Sequence, residues 1–245
     1  MITPFLVALQ LLTRVPVKIN KKISDQATGR SLLYYPLIGF MIGICLSAIM
    51  ILLHDFMPPL LLASVLLAIW VLITGALHLD GLADSADAWL GGFGDPQRTL
   101  DIMKDPRCGS AAVVILIIIL LLKFAALEYI VRQQQWPLLI AACVFARTSL
   151  LPLFLTTKYV RQSGIGASLA NNLPRLPAWI ITLTIVIMLP VLTGIQMLYS
   201  YTIAISIWVF MRQLMVKRIS GMTGDTAGAM IEIMELVILI GVCFW

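Results

Sequence analysis

Ten consecutive apolar side chains, VVILIIILLL at residues 113–122, leave no polar face at any helical pitch. A helix so uniform must touch lipid or lie deep in a large core. The run sits inside a longer apolar block, residues 110–131. A hydrocarbon layer of about 30 Å needs about 20 helical residues to cross it, and that block is long enough. Six further blocks meet the same requirement, at residues 31–53, 57–79, 136–155, 177–193, 195–211 and 226–245. Buried helices of a soluble core would need amphipathic helices around them, and none is visible. The expected fold is therefore all-α: a polytopic helical membrane bundle of about seven transmembrane helices. The fifth and sixth blocks abut at Gly194. No repeat or low-complexity linker divides the chain, so residues 1–245 read as one membrane-embedded domain.

Composition agrees, with 60% hydrophobic and 12% charged residues. The charged share is about half that of a typical soluble domain, near 25%, which excludes an ordinary soluble globule or a disordered chain. Four cysteines lie far apart without metal-site or redox spacing.

Positive charge sets the expected orientation. Arg14, Lys18, Lys21, Lys22 and Arg30 precede the first span. Arg98, Lys104 and Arg107 follow the second, Lys158, Arg161 and Arg175 the fourth, and Arg212, Lys217 and Arg218 the sixth. With alternate connections on one side, fourteen of the seventeen cations share that side. Lysine and arginine accumulate in cytoplasmic loops, so the N-terminus is predicted cytoplasmic and Trp245 outside. The net charge of +5 is thus a topology signal and implies no nucleic-acid partner. Residues 1–17 lack the basic start and cleavage site of a signal peptide. They predict an interfacial or protein-packed helix ending near Pro16, so that residues 1–30 form an N-terminal helix and basic segment.

Six of the twelve acids fall between Asp80 and Asp105. Within HLDGLADSADAWLGG, Asp80, Asp84 and Asp87 are spaced i, i+4, i+7, on one helix face. Such like charges repel unless a hard divalent cation sits between them, and Mg²⁺ takes one or two carboxylates plus waters and substrate phosphates. The bland alternative is a solvated helix face. His78 reads as a hydrogen-bonded structural residue. The rest of this loop, 80–109, supplies Arg98, Lys104 and Arg107 before Gly109 and Ser110 open the third span as a potential anion site. A metal–carboxylate cluster beside cations is what diphosphate chemistry requires.

A second cluster, KRISGMTGDTAGAMIEIMEL, spans the 212–225 loop and enters the last apolar block. Gly221 and Gly224 predict a turn, and Asp225 and Thr226 a helix cap. Glu232 and Glu235 lie inside the span, where charges are functional candidates and face the bundle interior. Arg147 sits at a matching depth, which predicts an Arg147–Glu235 or Arg147–Glu232 pair with the other acid free for substrate. Lys123 and Glu128 are expected to snorkel outward as structural residues. The 156–176 loop, with Lys158, Arg161, Ser163 and two glycines, has the composition of a flexible substrate-binding loop, or of a lipid-headgroup site.

Six segments together carry a family resemblance: LLTRVPV, YYPLIGFMIG, HLDGLADSADAWLGG, IMKDPRCGSAA, the ART…LP element at residues 146–152, and GMTGDTAGAMIEIMEL. In order and over almost the whole chain, they resemble cobalamin synthases, the adenosylcobinamide-GDP ribazoletransferases of bacterial inner membranes. The resemblance implies a Mg²⁺-dependent membrane enzyme with its active site facing the cytoplasm. In that reaction the hydroxyl of α-ribazole, or of its 5′-phosphate, attacks adenosylcobinamide-GDP and releases GMP. On this chemistry Asp80, Asp84 and Asp87 would hold Mg²⁺. Arg98, Lys104 and Arg107 would steady GMP, and Arg147, Lys158 and Arg161 would also bind substrate. Asp84, Asp225 and Glu232 are the catalytic candidates, with Asp225 serving a second metal or acting as base. Membrane lipids are implied partners, and a homo-oligomer is left open.

Two other readings compete. A CDP-alcohol phosphotransferase would carry D-x2-D-G-x2-A-R, but Asp84 stands where its arginine would be. A cation or proton transporter would use Glu232, Glu235 and Arg147, but transporters place their charges near the midplane in repeated broken helices.

Overall fold

A computed structural model describes residues 2–20, 22–194 and 197–241. Lys21, the start of the sixth expected span, Cys243 and the terminal Trp245 lie outside the described residues. Thirteen α-helices and one 3-10 turn account for the secondary structure of the rest, with a single isolated bridge between Tyr159 and Met222. The helices are α1 (Ile2–Leu12), α2 (Asp25–Ser31), α3 (Tyr35–Leu53), α4 (Pro59–Thr74), α5 (Leu77–Gly91), α6 (Pro96–Ile102) and α7 (Ser110–Arg132). They continue with α8 (Pro137–Thr148), α9 (Leu150–Thr156), α10 (Ile165–Asn172), α11 (Arg175–Thr193), α12 (Leu198–Ile219) and α13 (Gly224–Gly241).

The all-helical membrane class follows directly. Among the described residues four segments are long and apolar enough to cross a bilayer: Asp25–Leu53, Ser110–Arg132, Pro137–Thr156 and Arg175–Thr193. Pro137–Thr156 is central and almost wholly buried, whereas α7 and α11 leave most of their apolar surface outside, where lipid replaces protein contacts. The α4–α5 pair brings the number to five if counted as one span, against the seven expected. Helices do form in the last two expected blocks. However, α13 carries Asp225, Glu232 and Glu235 and is buried along nearly its whole length. Its carboxylates at that depth face protein rather than lipid.

The second expected span is broken by a sharp bend. It runs as helix only to Thr74, where Gly75 (φ 63°) and Ala76 (φ 57°) take left-handed conformations. A glycine accepts that geometry without steric cost, and α5 leaves at 86° to α4. The bend turns α5, with its aspartates, away from the axis of α4. The Arg14 side chain packs where a Gly75 Cβ would be, and its backbone N–H donates to the Ile73 carbonyl at 2.7 Å.

Burying apolar surface gives little driving force between helices already in lipid, so close backbone approach holds them together. Gly43 of α3 meets α8 at Ile140, where an added Cβ would stand 2.5 Å from the Cα. Gly39, one turn earlier, meets Cys143 in the same way. At one end of the bundle the basic connections are tied to each other. Lys158 and Val160 exchange backbone hydrogen bonds with Met222 (2.8 and 2.9 Å). Arg212 donates to Thr156 (2.9 Å), Ser168 to Asp25 (2.8 Å), and Thr223 to Met103 (3.7 Å). The 156–176 segment is therefore not a plain flexible loop. Its first part pairs with Met222, and its second forms α10, which packs on α2.

Candidate active site

Two glycines bring the acidic motifs together. On α5, a Cβ at Gly81 would lie 2.6 Å from the Asp225 carbonyl oxygen and 3.0 Å from its Cα. On α13, a Cβ at Gly228 would lie 3.3 Å from the His78 Cα. The helices thus cross in backbone contact, with Asp80 and Asp84 on one and Asp225 on the other. Burial and the neighbouring carboxylates of Asp80, Asp225 and Asp87 push the Asp84 carboxyl up to about 6. These negative charges repel the ionised form of Asp84.

The MTGD turn is capped differently from the sequence expectation. Thr223 and Thr226 cap reciprocally: the Thr226 N–H donates to the Thr223 Oγ1 (3.3 Å), and the Thr223 N–H donates to the Thr226 Oγ1 (2.9 Å). Asp225 is therefore spared from capping. Its Oδ2 accepts from the Arg161 guanidinium at 2.7 Å, and its Oδ1 accepts no hydrogen bond among the described residues. The backbone pairing of residues 158–160 with Met222 delivers Arg161 to this position.

Two cavities meet here. The larger, of about 840 Å³, is lined by Asp80, Asp225, His78, Arg14 and Tyr159 at its polar end, and by side chains such as Leu12, Tyr35 and Ile231 elsewhere. The second, of about 560 Å³, is lined by Lys158, Arg161, Gln162 and Arg175. Phe154 and Tyr159 belong to both and stack with centroids 6.3 Å apart. Arg14 and Tyr159 are site residues the sequence reading did not single out. LLTRVPV carries part of the family resemblance, but along the chain its arginine reads only as topology charge.

Several expected members are placed elsewhere. Asp87 does not join Asp80 and Asp84. Its Oδ2 accepts from the Gly109 N–H (2.6 Å) and its Oδ1 from the Ala112 N–H (2.9 Å). It thereby fills the start of α7, the very helix terminus that offered an anion site, with a carboxylate of the chain itself. Among the described residues no three His, Cys, Asp or Glu side chains converge to hold one metal ion, so the Asp80–Asp84–Asp87 set does not form.

The cationic loop also folds back on its own acids. Asp95 caps α6 by accepting from the Gln97 and Arg98 N–H groups (2.8 and 3.1 Å), and Arg98 lies over the Phe93 ring. Arg107 is paired with Asp105 at 2.5 Å, which holds the Asp105 carboxyl down at about 2. Lys104 is exposed. None of these three cations lines either of the two cavities.

Arg147 does pair with Glu235, but Glu232 is not left free. Lys123, expected to snorkel, is buried and donates to both Glu232 and Glu235 at 2.5 Å, with its ammonium 5.1 Å from the Trp70 ring centroid. Two cations and two carboxylates close a neutral set inside the bundle. Glu232 and Arg147 are buried in this set and line neither of the two cavities. Glu128 pairs with Arg132 on its own helix.

The family model described as cobalamin-5-phosphate synthase matches residues 4–243. The chain belongs to that family. It is 48% identical to an adenosylcobinamide-GDP ribazoletransferase of Pseudomonas fluorescens (strain Pf0-1), over 99% of both chains. A protein of the same name from Stutzerimonas stutzeri (strain A1501) is 50% identical over 97% of this chain and 96% of its own. One from Acinetobacter baumannii is 47% identical over 97% and 95%. No solved structure matches the chain. Within this synthase family the reading as a CDP-alcohol phosphotransferase or a transporter falls away.

Proposed function

We propose that the protein joins adenosylcobinamide-GDP to α-ribazole or its 5′-phosphate at a Mg²⁺-dependent site, releasing GMP. The observation that carries the site is the Gly81–Gly228 crossing, which sets Asp80 and Asp84 against Asp225, with Asp80 and Asp225 lining a nucleotide-sized cavity. The donor set is all oxygen and suits Mg²⁺, which needs only one or two protein carboxylates when phosphate oxygens complete its shell. Asp80 and Asp84 would hold it, and the bound ion would neutralise charge on the diphosphate.

The chain's own groups supply the rest. Arg161 keeps one nitrogen on Asp225, while its buried Nε has no partner among the described residues. That Nε is a donor available to the diphosphate, and Lys158 adds charge in the same cavity. The acceptor hydroxyl attacks the phosphorus borne by cobinamide, forming a new P–O bond. The P–O bond to GMP breaks, and its electron pair leaves with GMP. The hydroxyl proton passes to Asp225, whose Oδ1 is unoccupied by hydrogen bonds. The bias of cations supports a cytoplasmic setting for this end of the bundle, at a bacterial inner membrane, where soluble GMP would leave.

The test is purified protein with adenosylcobinamide-GDP, α-ribazole 5′-phosphate or α-ribazole, and Mg²⁺, followed by GMP release. GMP release that depends on Mg²⁺ and is abolished in Asp84→Ala supports the reading. No release by well-folded protein refutes it.

A further inference from the structure

The larger cavity is bounded on one side by eight consecutive residues, Gln10 to Val17, where the chain leaves α1. Among its lining residues Arg14 is the sole lysine or arginine. Its guanidinium is exposed and has no carboxylate partner among the described residues. Two constraints hold it in place: the backbone bond to Ile73, and the packing of its stem on left-handed Gly75. An arginine anchored this way on the wall of a mixed polar and apolar cavity, without an ion pair among the described residues, keeps its paired N–H donors for a ligand. Arginine matches a phosphate with paired N–H donors. His78 lines the same cavity, is 6% exposed, and has an Nδ1 without a hydrogen-bond partner among the described residues.

The two cavities divide the charges of the reaction. Arg161 and Lys158 lie on one side of the Phe154–Tyr159 wall, Arg14 on the other, and Asp225 lines the Arg14 side. Diphosphate and nucleophile must approach the phosphorus from different directions. A volume of about 840 Å³ lies within the range of about 300–1,000 Å³ that suits a drug-sized ligand. It takes a nucleotide-sized acceptor, and a corrinoid macrocycle carrying GDP exceeds it.

We infer that this cavity holds the acceptor nucleoside in its phosphorylated form and that Arg14 binds the phosphomonoester, making Arg14 the residue that selects a nucleotide over a free nucleoside. The inference rests on the proposed transferase reading and adds to it the residue that reads the acceptor's phosphate. The flat heteroaromatic base sits against the apolar walls. The hydroxyl to be joined points to Asp225, and the phosphate to Arg14.

The experiment compares α-ribazole 5′-phosphate with α-ribazole as acceptors for the wild type, Arg14→Gln and Arg14→Lys in lipid-supplemented detergent. A charged hydrogen-bonded contact of this kind is worth about 10–100-fold in affinity. The wild type should prefer the phosphorylated acceptor by that factor, mostly through KM. Arg14→Lys should keep much of the preference, and Arg14→Gln should erase it, its loss on the nucleotide being about 10–100-fold greater than its loss on the nucleoside. Equal losses on both acceptors would overturn the inference. Losses reversed by added phosphatidylglycerol would also overturn it, assigning Arg14 to a lipid headgroup. Should the wild type turn over neither acceptor, the transferase reading fails by itself. Calorimetric binding of the two compounds then still decides on Arg14: tighter nucleotide binding that Arg14→Gln abolishes upholds it, and equal binding sinks it.

Discussion

Replacing Gly81 by alanine tests whether the α5–α13 contact sets the active site. The added methyl would stand 2.6 Å from the Asp225 carbonyl oxygen, about 0.8 Å short of ordinary contact at 3.4 Å. The obstacle is backbone on both sides, so no side-chain rotation relieves it, and the helices must separate by about that distance. Overpacking of this kind costs about 1–3 kcal/mol. The catalytic cost is larger, because a displacement of about 1 Å among reacting groups lowers rates about 100-fold, and this displacement falls between Asp84 and Asp225 themselves. Gly228→Ala is the internal comparison. Its methyl would meet the His78 Cα at 3.3 Å, which a shift of a few tenths of an ångström accommodates. GMP release and thermal unfolding in detergent should show Gly81→Ala down about 100-fold in rate with a modest loss of stability, and Gly228→Ala close to wild type. Gly81→Ala at full rate, or equal damage from both variants, would refute the claim that this crossing positions the carboxylates.

Asp84 predicts a pH dependence. Its carboxyl is raised to about 6 from an ordinary 3.8, so it is neutral below that pH, and the Mg²⁺ concentration for half-maximal activity should climb as pH falls through 6. Since the folded value lies above the unfolded one, ionising Asp84 costs stability as pH rises from about 4 to 6. Asp84→Asn should therefore raise the Tm of metal-free protein above pH 6, and an unchanged Tm there would contradict the crowding. Asp87→Ala removes the cap of α7 and should cost about 0.5–2 kcal/mol of stability without altering the Mg²⁺ requirement; a weakened Mg²⁺ response would restore Asp87 as a ligand. Lys123→Met leaves Glu232 and Glu235 to share Arg147, and breaking a buried set of this kind costs about 3–5 kcal/mol. Unfolding should occur at clearly lower temperature, with wild-type specific activity in the folded fraction, and adding Glu232→Gln should recover part of the loss.

The membrane class, the N-terminal helix, the two acidic motifs and the depth match between Arg147 and Glu235 are legible along the chain. Each is a local or periodic property: apolar length against bilayer thickness, carboxylate spacing along a helix, residue count from a span's end. Only the tertiary structure decided which charges meet. Asp80, Asp84 and Asp87 share a helical face, yet Asp87 is drawn to the unsatisfied N–H groups opening α7, a helix 22 residues further along the chain. Lys123 reads as a snorkelling residue until α13 packs against α7 and supplies two carboxylates. The bend at Gly75 and Ala76, which takes α5 out of the expected second span, depends on two left-handed residues inside an apolar run, and hydropathy does not register backbone conformation. Arg14 is the sharpest case. Along the chain it is one basic residue among five before the first long span, and it becomes a site residue because Gly75 has no side chain and leaves room for its stem beside the cavity that Asp80 and Asp225 also line.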